Sequence, residues 1–110
     1  MKITQQFIMT SSFVLALAAL ASSGDTTYTI EATKDGFKPT VLEVPANQKV
    51  KVVVKNSDAL EIEFESYELN REEKIAPGSK KEIFIGPLKV GSYPFFDENN
   101  PASKGTVVVK

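Results

Sequence analysis

The sequence predicts an all-β fold, a cleaved leader followed by a Greek-key β-sandwich of about seven to eight mostly antiparallel strands, on three observations. Short runs of alternating apolar and polar residues recur along the chain, and clusters of Gly, Pro, Asn and Asp fall between them at regular spacing. Beyond Ala21 no segment of about ten residues has a 3.6-residue apolar period with helix caps, a single helical turn around Glu68 to Glu73 being the one exception.

The leader comes first. Met1-Lys2 is a short basic start, Phe7 to Leu20 is dominated by apolar and small residues, and Ala19-Leu20-Ala21 has the A-x-A form of a processing site. This is the pattern of a secretory signal peptide over residues 1–21, which leaves one domain over residues 22–110 in a periplasm or outside the cell. The apolar run is interrupted by Thr10, Ser11 and Ser12 and falls short of the roughly 20 residues that span a bilayer.

The strands follow in order. Thr27 to Thr33 and Thr40 to Val44 alternate, and Lys49 to Lys55 places Val50, Val52 and Val54 on one face with lysines on the other. Glu61 to Glu65 alternates in the same way, putting Ile62 and Phe64 opposite three glutamates. Lys81 to Ile85, Ser92 to Phe96 and Gly105 to Lys110 complete the set. Asp35-Gly36, Pro45-Ala46-Asn47, Asn56-Ser57-Asp58, Pro77-Gly78, Gly86-Pro87 and Asn99-Asn100-Pro101 are the turns between them.

Composition excludes whole classes of chemistry. The 110 residues include no Cys and no His, and 13 Lys plus Arg face 14 Asp plus Glu. Disulfides, thiolate metal sites, thiol nucleophiles and imidazole bases are therefore absent. A net charge of −1 lacks the excess of cations that nucleic-acid binding uses. No G-x-S-x-G or S-x-x-K sequence is present, and a domain this small offers little room for a cleft that grips a sugar on both sides, so the expectation is a protein that is not an enzyme.

Gly36-Phe37-Lys38-Pro39, the run Leu42-Glu43-Val44-Pro45-Ala46-Asn47-Gln48-Lys49-Val50, and Val52 to Asp58 closely resemble the N-terminal half of the cupredoxins. That family usually has Gly where this chain has Asn47, the residue that best replaces Gly in a left-handed turn. Glu63-Phe64-Glu65-Ser66, Leu69, Glu72, Ile75-Ala76-Pro77-Gly78-Ser79, Pro87-Leu88-Lys89, Gly91-Ser92-Tyr93 and Lys104 to Val109 are similar to the EfeO-type cupredoxin-like domain, which accompanies periplasmic iron uptake. The resemblance covers about Tyr28 to Lys110.

A blue-copper cupredoxin holds its metal with a His after the Asn-x-Asp turn and with Cys, His and Met from the loop before the last strand. By the resemblance, the first position falls on Glu61 or Glu63, and the Cys position, four residues after Tyr93, falls on Asp97. Asp97 to Gly105 contains no His and no Met, so a type 1 copper site is excluded by ligand chemistry. The EfeO-type resemblance implies instead a carboxylate site for iron or Cu(II), with Glu61, Glu63, Asp97 and Glu98 as ligands and a membrane iron permease or another iron-uptake component as partner. Oxygen ligands suit hard cations. Against this stands a plainer reading. Glutamate at every second position, Glu65 included, is also what a half-exposed strand looks like, and Lys49, Lys51 and Lys55 are available to pair with it. On that reading the chain is a metal-free scaffold for protein–protein interaction. Phe37, Phe95 and Phe96 are expected in the core and at one sandwich end, and Tyr93 as a corner whose hydroxyl bonds back to the backbone.

Overall fold

The structure, a computed structural model, describes residues 26–110; the leader expected over residues 1–21 lies outside the described residues. Nine strands form, β1 (Thr27–Thr33), β2 (Gly36–Lys38), β3 (Val41–Val44), β4 (Val50–Asn56), β5 (Ile62–Ser66), β6 (Arg71–Ile75), β7 (Lys80–Ile85), β8 (Gly91–Asp97) and β9 (Asn100–Val109), with no helix among the described residues. They make two layers, a four-stranded sheet in the order β2-β1-β4-β7 and a five-stranded sheet in the order β3-β9-β8-β5-β6. The β1–β4 and β3–β9 pairings are parallel and the others antiparallel.

Period-two alternation produces the layers directly. In β4, Val50, Val52 and Val54 are buried, and in β5 Ile62 and Phe64 face them across the sandwich. Two strands go beyond the sequence reading. The helical turn expected around Glu68 to Glu73 is instead a turn over residues 67–70 followed by β6, paired along its whole length with β5. Only Ile75 of β6 is buried, so its alternation is written almost entirely in charged residues and has no apolar signature. The three-residue β2 is too short to show any period.

The aromatic centre of the core is a set of three rings. Phe37 meets Phe64 and Phe95 edge-on at 6.2 and 5.1 Å, and Phe64 lies 5.1 Å from Phe95. Such pairs add about 0.5–1.5 kcal/mol each beyond the area they bury. Gly105 sits opposite Phe95 on β9, and a Cβ there would stand 2.5 Å from the Phe95 ring and 2.7 Å from the Thr40 carbonyl. The absence of a side chain at Gly105 is thus what lets the Phe95 ring lie flat beneath its own neighbouring strand.

One polar side chain ties the two layers together at the end where β4 passes into β5. Asn56 is buried, its Nδ2 donates to the carbonyls of Leu60 (2.8 Å) and Ile75 (2.9 Å), and its Oδ1 accepts from the Asp58 amide at 2.9 Å. Its own backbone exchanges bonds with the turn before β7, Asn56 N to Ser79 O at 2.8 Å and Gly78 N to Asn56 O at 2.9 Å. At the other end Asn47 takes the left-handed conformation (φ 61°) expected of a Gly substitute, and Tyr93 donates from its hydroxyl to the Lys89 carbonyl at 2.8 Å, as a corner residue does.

The Gly105 contact is directly testable. A Gly105→Ala substitution is expected to destabilise the fold by about 1–3 kcal/mol, because backbone and ring must both shift to admit one methyl group. Urea unfolding followed by circular dichroism measures it, and an unchanged midpoint would show that the close approach is not real.

Candidate functional site: a carboxylate cluster on the outer sheet face

β5 separates its residues cleanly. Phe64 faces the core, whereas Glu63 and Glu65 stand on the outer face of the five-stranded sheet. Their cross-strand partners on β6 are Lys74 for Glu63 and Glu72 for Glu65. On the other flank Glu65 pairs with Phe96 of β8, and Phe64 pairs with Asp97. The chain then turns, and the Glu98 amide donates to the Glu63 carbonyl at 2.9 Å, which lays Glu98 beside β5. As a result Glu63, Glu65, Glu72 and Glu98 each bring one carboxylate oxygen to a common place, all within 4.8 Å of one another.

Four carboxylates so close raise the free energy of one another's charged forms. Glu65, only 8% exposed, is the extreme case: burial, then a carboxyl–carboxyl hydrogen bond with Glu98 and the charge of Glu72, push it up from 4.5 to about 7. Glu63 is raised as well, first by its hydrogen bond with Glu72 and then by burial and the charge of Glu98, with Lys74 acting in the opposite sense. Among the described residues no N–H or O–H donor of the backbone, Lys, Arg, Ser, Thr or Asn is bonded to the Glu65 carboxylate; its hydrogen-bond partners are other acids. The geometry therefore favours the uptake of positive charge, whether a proton or a cation.

The structure distributes the sequence-predicted ligands unevenly. Glu63 and Glu98 belong to the cluster, and Glu61 and Asp97 do not. Asp97 is buried on the inward side of β8, where its Oδ1 accepts the amides of Glu63 (2.9 Å) and Asn99 (3.0 Å). Its carboxylate is thus committed to the backbone. Glu61 precedes β5 and is exposed, and its carbonyl accepts Nδ2 of Asn99 at 3.2 Å. Two further members come from elsewhere. Glu65, read from sequence as an ordinary strand-face residue, is the most buried of the four, and Glu72 lies on the strand that carried no apolar signature. The signal that finds Glu72 is the charged alternation Arg71-Glu72-Glu73-Lys74-Ile75 a short turn after β5.

The lysines expected to neutralise β5 stand elsewhere. β4 belongs to the opposite sheet, and Lys51 pairs there with Glu82 at 3.4 Å, while Lys49 lies over the Phe84 ring, 4.9 Å from its centroid. The aromatic residues divide as alternation requires: Phe37 and Phe95 are core, and Phe96, half-buried on the outer face, packs against the exposed Tyr67 with ring centroids 5.7 Å apart.

A sandwich of this topology, closed by two parallel pairings and carrying its acidic group beside the loop before the last strand, is a cupredoxin-like architecture. Residues 6–109 match the cupredoxin-like domain family, and the chain belongs to that family. An uncharacterized protein of Rickettsia prowazekii is 35% identical over 74 residues, which are 66% of this chain and 59% of that protein; the chain thus matches less than two thirds of the relative's length. Among solved structures, the metal-binding domain of the Streptococcus pneumoniae Cu(I)-exporting P-type ATPase CopA superposes with a TM-score of 0.69 at 20% identity, covering 76% of this chain and 84% of that one. A purple cupredoxin from Nitrosopumilus maritimus (TM-score 0.63, 18% identity, 76% and 99% covered) and reduced auracyanin from Roseiflexus castenholzii (0.64, 17%, 80% and 99%) share the fold. At these identities the likeness is one of fold. The donor set here does not fit type 1 copper: the chain has no Cys and no His, and its two methionines, Met1 and Met9, precede β1 in the sequence. What the residues offer is an all-oxygen group.

Two outcomes follow from this geometry. A carboxyl whose folded value lies above its ordinary one stabilises the fold below pH 4.5, and that contribution is lost as pH rises through about 7. The urea midpoint is accordingly expected to fall between pH 5 and pH 8, and Glu65→Gln to flatten that slope; a wild-type midpoint that rises over this range would contradict the assignment. Asp97→Ala leaves two amides without an acceptor and is expected to cost about 2–4 kcal/mol, measured by the same unfolding, with loss of amide hydrogen-exchange protection confined at first to Glu63 and Asn99.

Proposed function

We propose that the chain is an exported metal-handling protein that binds iron or Cu(II) through carboxylates at the outer face of its five-stranded sheet and serves a membrane iron-uptake system in the periplasm or outside the cell. The observation that carries this reading is the convergence of Glu63, Glu65, Glu72 and Glu98 within 4.8 Å, around a buried carboxylate whose neighbours are other acids. Two cations bound by the same oxygens differ in hardness, and an all-carboxylate group favours ferric iron over Cu(I). The EfeO-type resemblance supplies the iron-uptake context, with a permease or another uptake component as partner. No catalytic role is part of this proposal.

A second reading has its own support. Asp97, at the position that the resemblance matches to the Cys of a blue-copper protein, uses its Oδ1 to accept two backbone amides, which suits a metal-free scaffold in which that end is structural. Calorimetry separates the two. The protein purified from exporting cells and titrated with Fe(III) citrate, Cu(II) and Mn(II) is expected to give saturable heat. Glu65→Gln with Glu98→Gln is expected to weaken it at least about tenfold, the loss of two of four charged ligands, and Glu61→Gln to leave it unchanged. Absence of saturable heat, or equal heat in the double variant, favours the scaffold.

A further inference from the structure

The acidic cluster occupies only half of the outer face of the five-stranded sheet. The other half is an apolar groove of about 480 Å³ whose walls include Val41, Pro94, Phe96, Lys104 and Thr106. Register makes the two halves continuous. Val41 pairs with Thr106 and Thr106 with Pro94; one row along, Lys104 pairs with Phe96, Phe96 with Glu65 and Glu65 with Glu72. Phe96 is therefore the shared wall between groove and cluster, and Tyr67, 73% exposed, extends it beside the Phe96 ring. Val41, with half its surface open to solvent, lies on the groove's far edge.

We propose that this face docks an extended segment of a partner protein in which an apolar stretch is followed by a basic residue. Charge complementarity selects that occupant. Glu63, Glu65, Glu72, Glu73 and Glu98 outnumber the two lysines beside them, Lys74 and Lys81, the latter paired with Glu73 at 3.4 Å, so the β5–β6 side is net acidic, whereas Lys104 places a positive charge beside the groove. The face thus has a polarity as well as a shape: apolar side chains lie on Val41, Pro94 and Phe96, and a Lys or Arg reaches Glu65, Glu72 and Glu98. The reverse orientation sets the basic residue against Lys104. From β3 to β6 there are four strand steps, about 19 Å, the length of about six residues of extended chain. A partly buried carboxylate with acidic neighbours gains most from such a cation, because the arriving charge relieves repulsion already present in the free protein.

This surface does not depend on the metal reading. Where a metal ion occupies the four carboxylates it competes with the basic residue, so metal weakens docking and docking weakens metal. The test is selection of random decapeptides displayed on phage against the immobilised full-length exported protein in EDTA, which removes metal from the experiment. Enriched peptides are expected to carry Lys or Arg at one fixed end of an apolar run. Synthesised singly, they are expected to bind at least about tenfold more weakly to Glu65→Gln with Glu98→Gln, which removes the partner of the basic residue, and to Val41→Asp, which sets a charge against the apolar stretch; circular dichroism confirms that both variants are folded. No enrichment, enrichment without basic residues, or equal binding to both variants would overturn the proposal. So would a concentration-dependent dimer abolished by Val41→Asp, which would assign the face to a second copy of the chain.

Discussion

A single buried carboxylate decides where the chemistry of this protein can lie. Asp97 sits at the end of β8 against the aromatic core, and its Oδ1 accepts two backbone amides, one from β5 and one from its own turn. Those bonds set the turn that follows, and the turn sets Glu98, whose amide is bonded to the Glu63 carbonyl. A carboxylate accepting backbone N–H groups is held by charge-assisted bonds, roughly twice as strong as neutral ones. Asp97 thus does for the loop what Asn56 does for the two layers. The side chain that the resemblance nominates as a ligand fastens the turn that brings Glu98 beside Glu63.

The acidic face is stable only because its repulsion is local and the rest of the sandwich is not strained by it. Beneath Glu63 and Glu65 lie Ile62 and Phe64, fully buried. Two of the chain's ion pairs, Lys51 with Glu82 and Lys110 with Glu43, are on exposed surface elsewhere and contribute little. Stability therefore comes from the core and from the two polar anchors. Both proposed roles use the same physical fact, that Glu65 is buried among acids and gains when a positive charge arrives.

Much of the fold was legible in the sequence because period-two alternation of apolar residues is a strong signal where one face is buried. Val50, Val52 and Val54, or Ile62 and Phe64, announce their strands without help. β6 was not legible because its pattern is charge against charge, with Ile75 alone in the core. The candidate site was legible to the same extent: Glu63 and Glu98 could be read from strand alternation and the position of a loop. Glu72 required knowledge that β6 exists and that its register pairs Glu72 with Glu65. Glu61 and Asp97 were misplaced for a local reason each. Glu61 stands just before the strand, where alternation no longer fixes its direction, and Asp97 has the parity of Phe95 and points inward.

The last strand of the chain is not at the edge of its sheet. β9 lies between β3, made early, and β8, made just before it, and pairs in parallel with the former. The five-stranded layer is therefore incomplete until β9 is in place, and contacts of such long sequence separation form slowly. Until β9 docks, β3 has no hydrogen-bonded neighbour in its own sheet, whereas β5, β6 and β8, which carry the acidic cluster, already pair with one another.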